Sequence, residues 1–199
     1  MTLKAIFFDM DGVLVLSEPL HICAWKELLK LRKIEVTDVF KDGAYTGVSD
    51  NVIAYELSKK IGLNDSPETL LIEKQRIFLA MLDSAELEVP PHRDGFLKEC
   101  RNRYQIALVS SSSRTEVEAI LRKENLNSIF DIIITGDDVN NHKPSPEPYL
   151  LALKKAGIAA NEAIVIEDSA SGIAASQDAG ISAITFMGSF EDLFNVFMA

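Results

Sequence analysis

The sequence predicts an α/β fold: a doubly wound parallel sheet with helices on both faces and a helical subdomain inserted after the first strand. Three observations predict it. Five brief apolar runs rich in Ile, Val and Phe read as strands buried on both faces, the pattern of a parallel sheet. The later runs alternate with amphipathic segments, and strand–helix alternation builds parallel sheets. Between the first two runs lie roughly ninety residues, far more than a crossover needs, and this interval has helical periodicity of its own.

The first run, "LKAIFF", leads directly into Asp9, Met10, Asp11 and Gly12. The segments "EPLHICAWKELLKLRKI", "SDNVIAYELSKKIGL" and "SPETLLIEKQRIFLAML" carry apolar residues at helical spacing. They place a helical insertion over residues 17–88, leaving 1–16 and 89–199 as the sheet-containing core. "EVPPHRDG" reads as the return linker, its prolines restricting the chain. The amphipathic "RDGFLKECRNRY" precedes the second strand, "QIALVS". "SRTEVEAILRKENL" opens with a capping box from Ser113 to Glu116 and leads to the third strand, "DIIITG". In "SPEPYLLALKKAG", Ser145 is the expected N-cap and Pro146 the first helical residue. The fourth strand, "AIVIED", is followed by "SASGIAASQDAG", whose small residues allow close packing on a sheet, and then by the fifth strand, "SAITFM".

Composition narrows the partners. The 199 residues suffice for one large domain, or for a core with an insertion. A formal net charge of -10 repels nucleic-acid phosphates, so nucleic acid is not an expected partner. An anionic substrate then needs local cations or a metal. Cys23 and Cys100 lie far apart without metal-ligand spacing and read as reduced thiols rather than a disulfide. No apolar run is long enough to span a bilayer, and the N-terminal run, ending in acids, lacks the pattern of a signal peptide. The expectation is a cytoplasmic protein, monomeric by default, with no membrane partner.

The polar residues that follow the strands carry the functional signal. Asp9 and Asp11 follow the first, Ser110 with Ser111, Ser112 and Ser113 the second, "GDDVNNHKP" with Lys143 the third, and Glu167 with Asp168 end the fourth. Ligands of open parallel sheets bind at the carboxyl ends of the strands. Carboxylate oxygens suit Mg²⁺, so Asp9, the backbone carbonyl of Asp11, and Asp168 are candidate ligands, with Glu167 supporting them. Lys143 offers a point charge for a phosphate and Ser110 a hydroxyl donor; backbone N–H groups near Ser111 and Gly12 add further donors. Asp9 then suits the role of nucleophile and Asp11 that of general acid and base.

These residues resemble the motifs of the haloacid dehalogenase-like hydrolases: "DMDGVL" the first, Ser110 the second, Lys143 in "HKPSP" the third and "EDSASG" the fourth. The resemblance covers nearly the whole chain. It implies a Rossmann-like core with a helical cap, Mg²⁺ as cofactor, and an aspartyl-phosphate formed on Asp9. The insertion resembles the cap of the branch that includes β-phosphoglucomutase and small-molecule phosphatases. In that resemblance His21 matches a cap-hinge histidine that assists proton transfer, "YTGVS" a substrate-facing loop, and Lys74 a cap lysine near the bound sugar. The sequence also departs from the pattern. Asp50 stands where the mutases carry an arginine that grips a second phosphate, and a carboxylate there repels one. Ser112, Ser113 and Arg114 remain candidates for a distal phosphate. Leu16 replaces a common acid, His142 replaces a glycine, and beyond "SAITFM" the usual further helix and last strand give way almost directly to "SFEDLFNVFMA".

Each residue has a plain structural counterpart. Asp9 and Asp11 with Gly12 suit an acidic turn; the serines suit a helix cap; Lys143 suits a solvated loop; Glu167 or Asp168 suits an N-cap. His21 suits a packed helix face, and Lys74 an exposed one. The convergence of all four motifs favours an enzyme. The leading expectation is a Mg²⁺-dependent phosphohydrolase of a small phosphorylated metabolite, such as a sugar phosphate. The alternatives are a sugar-phosphate mutase and, in another class, a phospho-acceptor signalling domain.

Overall fold

The computed structural model describes residues 2–34, 40, 45, 48–60 and 65–197. The chain divides into two compact units, Met1–Leu16 with Leu87–Ala199, and Ser17–Glu86.

The first unit is built on a five-stranded parallel sheet: β1 (Ala5–Phe8), β2 (Gln105–Val109), β3 (Ile132–Ile134), β4 (Ala163–Glu167) and β5 (Ser182–Thr185), in the order β3-β2-β1-β4-β5. All five expected strands are present. The residues of β1 are buried on both faces, as its central place demands. Alternate residues serve opposite faces. Ala5, Phe7, Ala107, Val109 and Val165 pack with Tyr149 and Ala152 of α6 (Glu147–Ala156) and Ala175 of α7 (Ala170–Asp178). On the other face Phe8 meets Phe96 of α4 (Arg93–Arg103) edge to face, with ring centroids 6.2 Å apart. Phe96 also meets Phe190, and Phe194 and Phe197 of α8 (Glu191–Phe197). Helix α8 thus follows β5 within the segment "SFEDLFNVFMA".

Register positions the functional residues. Phe8 lies level with Leu108 on one side and Ile166 on the other, so the chain leaves all three strands at one height. The chain winds from β1 toward β3 in one direction and toward β5 in the other, which puts the switch in strand order at β1. Helix starts follow local chemistry. Helix α5 (Arg114–Lys123) opens with the expected capping box, Ser113 with Glu116. Helix α6 begins later than expected: Pro146 is its N-cap, and Ser145 Oγ accepts from the Glu147 N–H at 3.3 Å. The N-cap of α7 is Ser169, not Glu167 or Asp168; its Oγ accepts from the Gly172 N–H at 3.0 Å.

The second unit contains α1 (Glu18–Leu31), α2 (Asp50–Lys60) and α3 (Pro67–Ser84). Trp25, Leu28 and Leu29 of α1, Ile53, Ala54 and Leu57 of α2, and Leu70 of α3 form its core. Thr46 and Gly47 of "YTGVS" fall outside the described residues. Among the described residues, no helix is long and apolar enough to cross a membrane.

Candidate active site

At the carboxyl ends of β1 and β4, an ammonium group is buried among acids. Lys143 Nζ donates to Asp9 Oδ1 at 2.6 Å, to Glu167 Oε1 at 2.7 Å and to the Val109 carbonyl at 2.8 Å. All three donors of the lysine are thus directed, which rules out the solvated-loop alternative. Asp9 is fixed from behind, its N–H donating to the Ile166 carbonyl at 3.0 Å. Glu167 has no solvent exposure. It accepts from Lys143, from the Ser169 N–H and Oγ at 3.0 and 2.9 Å, and from the Tyr149 hydroxyl at 3.2 Å.

Two glycines make room for this arrangement. Gly12 has φ +90°, and a Cβ there would lie 2.0 Å from Asp168 Oδ2. At Gly172 a Cβ would lie 1.6 Å from Glu167 Oε1, so the first turn of α7 can cover the glutamate only with glycine at that place. The small-residue character of "SASG" is therefore a requirement of the site as much as of sheet packing.

Burial, and then the neighbouring Glu167 carboxylate, raise the pKa of Asp9 well above the ordinary range, with Lys143 opposing. Burial acts to discharge Lys143, but the surrounding Asp9 and Glu167 carboxylates outweigh it and hold the ammonium charged. Glu167 is pushed up by burial and pulled down further by Lys143 and Ser169, so it stays ionised. Burial keeps Tyr149 a neutral phenol that can donate. Asp9, Glu167 and Asp168 each offer an oxygen, all within 4.8 Å of one another. Asp168 is exposed while the other two are buried. A hard-oxygen donor set of this kind, with more acids than its lysine balances, fits a divalent cation such as Mg²⁺.

A second group of contacts joins β1 to the serine turn after β2. Ser112 Oγ donates to Asp11 Oδ2 at 2.9 Å, and Ser110 Oγ reaches the same oxygen at 3.5 Å. Ser110 Oγ also accepts from the Ser112 N–H at 3.0 Å, which ties the turn together. The Ser111 carbonyl lies against Gly136, where a Cβ would come within 2.6 Å of it. Asp9, Asp11, Gly12, Ser110, Ser112, Lys143, Glu167 and Asp168 thus gather at one sheet edge. Arg114 turns away from them: Nη2 binds Asp138 Oδ2 at 2.6 Å, and Nη1 lies 3.8 Å from Glu118. That ion pair employs the charge that the sequence had offered to a distal phosphate.

The helical unit holds a separate polar cluster. Lys74 is only 1% exposed, which overturns its expected place on an exposed helix face. Its Nζ donates to Asp50 Oδ2 and lies 2.6 Å from His21 Nδ1. Trp25 Nε1 donates to Asp50 Oδ1 at 2.7 Å. The His21 ring stacks on Phe78 with centroids 4.1 Å apart. Asp50 is therefore a paired carboxylate rather than a loose repulsive charge. Sequence reasoning missed Tyr149, Ser169 and the Trp25–Asp50 contact. Tyr149 had the look of one more apolar member of a helix stripe, and Ser169 sat unremarked inside "EDSASG".

A family model described as "Haloacid dehalogenase-like hydrolase" matches residues 6–186. A phosphorylated carbohydrates phosphatase of Thermotoga maritima is 32% identical over 187 residues, covering 92% of this chain and 84% of the relative. A fructose-1-phosphate phosphatase of Escherichia coli is 31% identical over 180 residues, covering 90% of this chain and 94% of the relative. The crystal structure of CbbY from Rhodobacter sphaeroides in complex with phosphate superposes with a TM-score of 0.81 at 26% identity, over 96% of this chain and 89% of that one.

Proposed function

Since the chain belongs to the haloacid dehalogenase-like hydrolases and is a phosphatase of that family, we propose that it hydrolyses the phosphate monoester of a small phosphorylated carbohydrate through an aspartyl-phosphate on Asp9. The observation that carries the reading is the convergence of Asp9, Lys143, Glu167 and Asp168 beside the Asp11–Ser112 contact. The substrate class follows the names of the two relatives.

Asp9, Asp168 and the Asp11 carbonyl, steadied by Glu167, would hold Mg²⁺, which supplies charge neutralisation for the acids and the incoming phosphate. In the first step an Asp9 carboxylate oxygen attacks phosphorus. The Asp9–phosphorus bond forms as the bond to the sugar oxygen breaks. Asp11, protonated, gives its proton to that leaving oxygen, and the alcohol departs. In the second step Asp11, now a carboxylate, takes a proton from a water molecule that attacks phosphorus. The bond to Asp9 breaks, inorganic phosphate leaves and the Asp9 carboxylate is restored. Lys143 orients Asp9 and balances charge on the transferring group; Ser110 and the N–H groups around Ser111 and Gly12 bind the phosphoryl oxygens. The helical unit Ser17–Glu86 is the cap in this proposal, with His21 and Lys74 its candidates for substrate contact. The paired Asp50 supplies no cation for a second phosphate, which favours a phosphatase over a mutase. A proton shuttle at Asp11 suits turnover rather than the long-lived acyl phosphate of a signalling domain.

A panel of phosphorylated carbohydrates assayed with and without Mg²⁺, with Asp9→Asn as the blank, tests this. Phosphate release that needs both Mg²⁺ and Asp9 supports it. Isomerisation of a sugar 1-phosphate to the 6-phosphate without net phosphate release would replace it with the mutase reading.

A further inference from the structure

Asp11 and Asp9 are held by different means. Asp9 continues β1 and is fixed by the sheet through its N–H to Ile166. Asp11 opens a tight turn that Val15 closes, the two residues forming an isolated parallel bridge. The Met10 carbonyl accepts from the N–H groups of Leu14 and Val15 at 2.8 and 3.2 Å, and the Gly12 N–H donates back to the Val15 carbonyl at 2.8 Å. The Leu16 N–H donates to the Glu88 carbonyl at 2.8 Å, which ties the exit of the turn to the returning chain. None of these bonds joins the turn to a helix.

Arg93 does. It is the first residue of α4 and is only 4% exposed. Its Nη1 donates to the Leu14 carbonyl at 3.2 Å and to Glu124 Oε2 at 3.1 Å, and its Nε donates to Asp94 Oδ1 at 2.7 Å. Glu124 is the C-cap of α5, the helix that starts from the serine turn facing Asp11. One planar guanidinium therefore joins the turn that bears Asp11, the start of α4 and the end of α5. A buried arginine is costly unless every contact is used, and a lysine lacks the rigid fork that serves several partners in one plane.

We propose that Arg93 is a positioning residue for Asp11: it anchors the turn so that the Asp11 carboxyl is held at Ser112, ready to pass its proton to the leaving oxygen. This rests on the role given to Asp11 above. The consequence is selective. Loosening the turn disturbs proton donation, while the nucleophile, fixed by the sheet, keeps its place. An aryl phosphate with a weakly basic leaving group needs little protonation, whereas an alkyl phosphate needs it fully.

The test compares kcat/KM for p-nitrophenyl phosphate and for a hexose phosphate in the Mg²⁺-loaded full chain, its Arg93→Gln and Arg93→Lys variants, and Asp11→Asn. That ratio reports the first phosphoryl transfer, the step in which the leaving oxygen is protonated. For Arg93→Gln the expected loss is about tenfold or more on the hexose phosphate and less than about threefold on the aryl phosphate. Arg93→Lys recovers part of the selective loss and provides the comparison if the Gln variant does not fold. Equal losses on both substrates, or none on either, while Asp11→Asn discriminates strongly between them, would overturn the proposal alone. If Asp11→Asn itself shows no discrimination, the general-acid role fails and the proposal falls with it.

Discussion

Each unit of the molecule buries a lysine against carboxylate, yet the two clusters differ in how their charges sum. At the sheet edge three carboxylates, Asp9, Glu167 and Asp168, gather within 4.8 Å of one another, and one ammonium, Lys143, pairs with the first two. In the helical unit one carboxylate, Asp50, meets one ammonium, Lys74, and each Asp50 oxygen is engaged, one by Trp25 and one by Lys74. The first cluster has excess negative charge that burial makes expensive, and a divalent cation relieves it. The second is balanced by its own residues. The lesson is that a buried Lys–Asp contact does not by itself mark a reaction centre; the uncompensated remainder does.

The largest expected break between the two is in turnover. Asp9→Asn removes the nucleophile and should lower kcat by at least about a thousandfold. Its melting temperature should be unchanged or higher, because the substitution removes an acid from an overcrowded group. Asp50→Asn should leave measurable turnover. Comparable losses in the two variants would erase the distinction.

Stability should separate the lysines next. Lys143→Met leaves Glu167, which has no exposure, without its cation, and should cost about 3–5 kcal/mol in denaturant unfolding. Lys74→Met leaves Asp50, whose side chain is 22% exposed and can hydrate, and should cost about 1–3 kcal/mol. The order of the two values is the check.

The metal sharpens the contrast further. Adding Mg²⁺ at a hundred times its dissociation constant should stabilise the protein by about 2.7 kcal/mol in calorimetry, an effect that Asp168→Asn weakens and Asp50→Asn preserves. Stabilisation that survives Asp168→Asn would place the cation elsewhere.

The smallest effect concerns Asp138, which takes up the charge of Arg114. Burial pushes its pKa up, but hydrogen bonds from Thr135 and the contact with Arg114 outweigh this and hold it below the ordinary carboxylate range. A depressed carboxylate pKa contributes stability that is present above the unfolded value, about 3.9, and fades as pH falls through the folded one. Asp138→Asn should therefore cost about 1–2 kcal/mol at pH 7 and little at strongly acidic pH, with phosphatase activity largely retained.

The sheet and its edge were legible in the sequence because each is written in consecutive residues. "AIFF", "QIALV" and "AIVIE" are strands that only burial on both faces explains, and the polar residues that follow inherit their position from the strand before them. That is why Asp9, Ser110, Lys143 and Glu167 emerged together. Residues on helices were less legible, since sequence spacing gives a helix face but not what that face meets. Lys74 had the pattern of a solvent-facing residue and is buried against Asp50 and His21. Tyr149 fitted an apolar stripe, yet its hydroxyl reaches Glu167. Arg114 pointed to a phosphate by sequence position and is held instead by Asp138, an acid from a different loop. Such pairings join residues far apart in the chain and leave no local trace.

The central claim meets its most direct test in an acid quench. The Mg²⁺-loaded protein and its Asp9→Asn variant would be mixed with a ³²P-labelled carbohydrate phosphate, stopped within the first turnover, and digested to locate label. An alkali-labile phosphoryl group is expected on the peptide bearing Asp9 in the parent protein, and none in the variant. Phosphate release by the variant at the parent's rate, or parent turnover with label never reaching that peptide, would contradict it.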